Sequence, residues 1–82
     1  MGVTREKTDI RLYTSDYCGY CRRVSSELER LGLDYEAVNA DADGREEVIR
    51  LSGQRKIPIL AIGDEVLVDS SHIIRELRQR YA

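Results

Sequence analysis

Cys18 and Cys21, in the run Cys18-Gly19-Tyr20-Cys21, are the chain's two cysteines. They follow an apolar, strand-like stretch, Ile10 to Tyr13, and open a helical pattern of apolar residues at Val24, Leu28 and Leu31. Thiols one helical turn apart can close a disulfide with little backbone movement. A thiolate is the reactive form of the group, and a helix N-terminus stabilises it. This spacing and placement point to thiol–disulfide exchange. Cys18 is the candidate nucleophile. Cys21, one turn further in, is the candidate resolving thiol and the less exposed of the two. Exchange requires a thiolate, an accessible disulfide sulfur and a good leaving thiol. It requires neither a metal nor His72, which falls in the first turn of the last helix.

Other uses of two cysteines fit less well. A tetrahedral zinc site needs four ligands, and this pair supplies only two, with the single histidine far along the chain. A disulfide across so short a loop would stabilise little, because the loop-closure entropy it removes is small. The N-terminus, Met1 to Lys7, is polar and lacks the apolar core of a signal peptide. The longest apolar stretch, Ile57 to Ile62, is far short of a membrane span. The expected location is therefore the cytoplasm, where a cysteine pair is redox-active or metal-binding rather than a staple.

The elements that must position the pair fit a single domain. The chain has 82 residues, 41% hydrophobic and 34% charged, with a formal net charge of −2. That length supports one core, burying about 60% of the unfolded surface. The charge balance excludes the basic footprint of a nucleic-acid binder. Met1 to Thr8 reads as a disordered leader, and residues 9–82 as the domain.

From Asp9 to Ser15, Ile10 and Leu12 alternate with charged neighbours, the period of a strand. Ser15 to Tyr17 form a polar turn, and a helix runs from Gly19 to Leu31 with Gly32 past its end. A second strand spans Asp34 to Asn39. A second helix runs from Asp43 to about Leu51, with Val48 and Leu51 facing inward. Pro58 leads into a strand from Ile59 to Ile62. The turn at Gly63-Asp64 with Glu65 joins it to a short strand, Val66 to Val68, in a hairpin. Asp69 and Ser70 are cap candidates for a last helix with Ile73, Ile74 and Leu77 on one face. The order β-α-β-α-β-β-α implies a parallel pair with a right-handed crossover, then a closing antiparallel hairpin.

That order, with Cys-x-x-Cys at the first strand-to-helix junction, resembles the thioredoxin fold, and its details resemble the glutaredoxin family. Three matches support the likeness. They are Tyr-Thr-Ser-x-Tyr-Cys-Gly-Tyr-Cys over residues 13–21, Ile57-Pro58 opening the third strand, and Val68-Asp69-Ser70-Ser71 before the final helix. The chain departs from the family in having Gly19 where Pro is usual. Thr14, Ser15 and Asp16 stand where a Lys commonly precedes the first cysteine. Val68-Asp69 replaces the usual Gly-Gly. Asp69-Ser70-Ser71 is closer to the cap of glutathione transferase N-terminal domains. Cys-Gly-Tyr-Cys also occurs in mycoredoxins, which serve mycothiol.

The resemblance implies an α/β, thioredoxin-like domain with a four-stranded mixed sheet and three flanking helices. It implies reduction of protein disulfides or glutathione mixed disulfides, with glutathione as co-substrate, or mycothiol in its place. A [2Fe–2S] cluster bridged by glutathione in a dimer is an alternative activity, and thioredoxin reductase an alternative electron source. It also implies a cis Pro58 that presents the Ile57 backbone to an extended thiol peptide. Lys56 would meet a glycyl carboxylate, and Tyr20 would border the substrate. The Ser70 and Ser71 N–H groups would bind a γ-glutamyl carboxylate while Asp69 holds the ammonium. Arg22 and Arg23 read either as support for the Cys18 thiolate or as solvated surface, and Asp16 would oppose the thiolate. Expected partners are a low-molecular-weight thiol and disulfide-containing or glutathionylated proteins, met by a monomer that binds neither nucleic acid nor membrane. A transferase N-terminal domain without its helical partner is a further reading, and a resolving cysteine at position 21 favours a reductase over it.

Overall fold

The computed structural model describes residues 9–41 and 44–81. The expected leader, Met1 to Thr8, and the expected helix start at Asp43 lie outside them. Seven elements follow the expected order: β1 (Ile10–Thr14), α1 (Gly19–Arg30), β2 (Glu36–Asn39), α2 (Gly44–Ser52), β3 (Ile59–Ile62), β4 (Glu65–Val68) and α3 (Ser70–Tyr81). The sheet runs β2-β1-β3-β4. β1 pairs with β2 in parallel, and β3 is antiparallel to both β1 and β4. The fold is thioredoxin-like, with a four-stranded mixed sheet and three helices.

Period-2 alternation divides the core between the two sheet faces. On one face Ile10, Leu12, Leu60 and Leu67 meet Val24 and Leu28 of α1 and Ile73 and Leu77 of α3. On the other, Tyr13, Ile59 and Ala61 pack with Ala40 and Val48. In β1 Ile10 and Leu12 face one side, and Tyr13, on the other, is also only 1% exposed. The reason is α2, which covers the face that a single amphipathic strand would leave wet.

Local chemistry sets the element ends. Leu31 caps α1, and the N–H groups of Gly32 and Leu33 bond the carbonyls of Glu29 and Leu28 at 3.0 Å each. This Schellman closure needs a left-handed residue, which Gly32 supplies with φ +72°. β2 starts at Glu36, later than the expected Asp34, because the segment after this closure does not reach the sheet until Glu36 pairs with Arg11. Glu65, expected in the hairpin turn, is instead the first residue of β4, because it already pairs with Ile62. α2 opens on Gly44, where a Cβ would lie 2.1 Å from the Asn39 carbonyl oxygen. Only glycine lets the helix start approach the end of β2 so closely.

One charged residue sits inside. Glu27 on the inner side of α1 is 6% exposed. Its carboxylate accepts from Arg30 one turn on, and from Arg78 of α3 through Nε at 3.1 Å and NH2 at 3.3 Å. Hydrogen bonding first to Arg30 and then to Arg78 pulls its pKa down to about 2.

Candidate active site

The turn after β1 delivers Cys18 to the start of α1. The Tyr17 N–H donates to Ser15 Oγ at 3.2 Å and the Cys18 N–H to the Ser15 carbonyl at 3.3 Å. Cys18 then takes the N-cap position in extended geometry (φ −110°, ψ 112°), and its Sγ accepts the Cys21 N–H at 3.2 Å. Sulfur here fills the role that a serine or aspartate oxygen plays at other helix starts. Both thiols are free, Cys18 half-buried and Cys21 buried at 1% exposure. Burial first, and hydrogen bonding with Cys18 second, push the Cys21 thiol up to about 11. The two sulfurs are thus unequal in access, as the expected division of labour requires.

Cys18 shares a small depression of about 190 Å³ with Asp16, Arg22 and Ser25. Asp16 and Arg22 thus both line the space beside Cys18. Arg23, paired with Arg22 in the sequence reading, does not reach this depression and turns toward α3.

A second, larger groove of about 650 Å³ runs from the first turn of α1 across the loop before β3 to the start of α3. The expected ligand-binding residues Tyr20, Lys56, Ile57, Pro58, Asp69 and Ser70 all line it. The Ile57–Pro58 bond is cis, as the resemblance implied. Tyr20 is 63% exposed at the rim, whereas Tyr17, 93% exposed, is not part of the wall.

Asp69 alone caps α3. Its Oδ2 accepts the His72 N–H at 3.3 Å and its carbonyl accepts the Ile73 N–H at 2.9 Å. Ser70, the alternative cap, is instead the first helical residue and is buried. Asp69 holds φ +74°, the one positive φ at a non-glycine among the described residues. Such a conformation costs about 1–3 kcal/mol, and residues that adopt it cluster at binding sites.

Sequence reasoning missed Arg45. From the first turn of α2 it donates through Nε to the Ala40 carbonyl at 2.8 Å and through NH1 to the Arg55 carbonyl at 3.1 Å. It lines the groove and pins the loop that carries Lys56. A charged residue early in a helix reads as solvated surface, and nothing local signals that a distant carbonyl will take it. Arg45, Arg55, Lys56 and Asp69 all line the groove, which thus carries charges of both signs. It is suited to a ligand bearing carboxylates and an ammonium.

Among the described residues no group of three or more His, Cys, Asp or Glu is placed to hold a metal ion. No helix among them is long and apolar enough to cross a membrane.

A thioredoxin-like sheet with a half-buried and a buried thiol at the start of its first helix defines the class of thiol–disulfide oxidoreductases. Comparison with known proteins narrows this. The family model for the glutathione S-transferase N-terminal domain matches residues 12–82. Glutaredoxin 3 of Escherichia coli is 28% identical over 67 residues, 79% of this chain and 74% of the relative. A glutaredoxin of Pseudomonas aeruginosa is 33% identical over 57 residues, 67% of this chain and 68% of the relative. Among solved structures, glutathione transferase E6 of Drosophila melanogaster superposes with a TM-score of 0.80 at 32% identity. That match covers 89% of this chain but only 35% of the transferase. The chain belongs to the thioredoxin-fold family shared by the glutaredoxins and the N-terminal domains of glutathione S-transferases, and is a glutaredoxin-like thiol–disulfide oxidoreductase.

Proposed function

We propose that the chain is a glutathione-linked reductase of protein disulfides and glutathione mixed disulfides, with Cys18 as nucleophile. The observation that carries this reading is the convergence of Tyr20, Lys56, Ile57, Pro58, Asp69 and Ser70 on one groove that starts on the cysteine helix. An extended γ-glutamyl peptide fits its chemistry. The glycyl carboxylate meets Lys56 and the neighbouring Arg45 and Arg55. The cysteinyl segment pairs with the Ile57 backbone. The γ-glutamyl carboxylate takes the Ser70 and Ser71 N–H groups, and the ammonium takes the Asp69 oxygen left over from capping.

In the reaction, the Cys18 thiolate attacks the glutathionyl sulfur of a mixed disulfide. A bond forms between the two sulfurs, the original disulfide breaks, and the target leaves as a thiolate that takes up a proton. A second glutathione, as thiolate, attacks the glutathionyl sulfur on Cys18, releasing oxidised glutathione and regenerating the Cys18 thiolate. For a protein disulfide, Cys21 loses its proton and attacks Cys18, releasing the second target thiol and closing the Cys18–Cys21 disulfide, which two glutathiones reduce. Burial, the largest cause of the raised Cys21 pKa, disfavours its thiolate. All groups in this scheme come from one chain, which acts as a monomer in a reducing compartment.

Turnover of hydroxyethyl–glutathione disulfide, coupled to glutathione and its reductase, tests the reading. Cys18→Ser abolishes activity and Cys21→Ser retains it. No turnover by the unmodified protein would remove glutathione from the scheme and make mycothiol or thioredoxin reductase the donor to try next.

A further inference from the structure

A glutathionylated protein has two halves, and the groove accounts for only one of them. Tyr20, which lines the groove, and Arg22 are about 200° apart around α1 at 100° per residue. The side of the helix that bears Arg22 thus points away from the groove. There the depression holding Cys18 adjoins a furrow between α1 and α3 of about 390 Å³, Arg22 being common to both. The furrow is lined by Arg22, Arg23, Ser26, Ile74 and Arg78, with Glu27 at its base. Glu27 is already occupied by Arg30 and Arg78. Arg22 and Arg23 have no acidic partner among the described residues, and both are exposed. A chain with net charge −2 therefore carries a track of guanidiniums that leads from the Cys18 depression, whose lining also holds Asp16, to the exposed Arg23.

We propose that this furrow docks the protein half of the substrate, and that it selects targets with acidic residues beside the reactive cysteine. The inference rests on the proposed deglutathionylation. With the glutathionyl half in the groove, the leaving target lies on the other side of Cys18, over Arg22 and Arg23. An acidic segment there gains from two unpaired guanidiniums and from the apolar floor at Ile74. Charges at such a rim act mainly on encounter rate and are screened by salt.

The test uses two synthetic glutathionylated peptides that differ only in carrying aspartates or lysines around the cysteine. Pre-reduced protein is mixed with each, with no added thiol, and release of the peptide thiol is followed in a single turnover. The acidic peptide is expected to react about tenfold faster at low ionic strength, with the gap closing near 1 M salt. Arg23→Glu, which lies outside the Cys18 depression, is expected to remove or invert the preference and leave turnover of hydroxyethyl–glutathione disulfide unchanged. Equal rates for the two peptides, a preference untouched by Arg23→Glu, or no release from either peptide would each overturn the proposal. Because the single turnover needs no external donor, failure of glutathione as the reductant appears only in the steady-state assay and is told apart from failure of the furrow.

Discussion

The carboxylate of Glu27 and the guanidinium of Arg78 join α1 to α3 across 51 positions of sequence, with Arg78 Nε 3.1 Å from Glu27 Oε2. One helix begins at the Cys18 cap and the other at the Asp69 cap, so this ion pair ties the helix behind the cysteines to the helix whose start lines the groove. Without Arg78 the buried Glu27 would keep Arg30 as its partner, and without Glu27 the exposed Arg78 would be solvated.

The pH dependence of stability follows from the same pair. Glu27 is held at about 2 against an ordinary value of 4.5. A depressed carboxyl stabilises the fold fully above its unfolded pKa and loses that contribution as pH falls toward the folded value. Glu27→Gln should therefore lower the melting temperature at pH 7, and the gap to wild type should close between pH 4.5 and 2. A gap constant through that window would show that the carboxylate contributes nothing as a charge.

Alkylation separates the two thiols. In Cys18→Ser the remaining Cys21 stays buried, and burial is the largest cause of its raised pKa. Iodoacetamide at pH 7 should label it at least about a hundredfold more slowly than it labels Cys18 in Cys21→Ser. Both should label alike in denaturant. Mass spectrometry over time measures this directly, and similar native rates would contradict the burial of Cys21.

Asp69 caps α3 and, in the proposed scheme, also holds the ligand's ammonium, and different substitutions divide the two roles. Asp69→Asn keeps a capping oxygen and a residue type that tolerates positive φ. It should leave the melting temperature within about 2 °C and raise the KM for glutathione about fivefold to tenfold, since a charge-assisted bond becomes a neutral one. Asp69→Ala should also lose about 1 kcal/mol of stability with the cap. A KM unchanged in Asp69→Asn would remove the ammonium contact from the scheme.

Two glycines should respond in opposite directions. Gly44→Ala forces a Cβ onto the Asn39 carbonyl, and the required backbone shift should cost about 1–3 kcal/mol in urea unfolding. Gly19, at the first helical position of α1, has nothing within 4 Å of an added Cβ. Gly19→Ala should be neutral or stabilise by up to about 1 kcal/mol. A tolerated Gly44→Ala would mean that the α2 start and the end of β2 can move apart.

What could be read without coordinates was local. The cysteine pair, the apolar period of β1 and α1, the Gly32 stop, the Gly63-Asp64 hairpin and an acidic cap before α3 each depend on a few neighbouring residues, whose types restrict the backbone directly. The resemblance that these motifs support then named the groove residues, and the groove contains all six. The unread part was non-local. Glu27 is an ordinary surface residue on a helical pattern until α3 brings Arg78 to it, and Arg45 is one until the ends of two loops present carbonyls to it. The furrow that Arg22 and Arg23 share is of the same kind, because it depends on where α3 lies against α1. Backbone propensities and apolar periods are properties of sequence neighbours, so the chain by itself determined its elements, their order and the place of its cysteine pair at the first helix start. The partner of a charge is decided by which distant segment packing brings within about 3–4 Å, so only the tertiary structure decided the clamp, the walls of the groove and the cationic furrow.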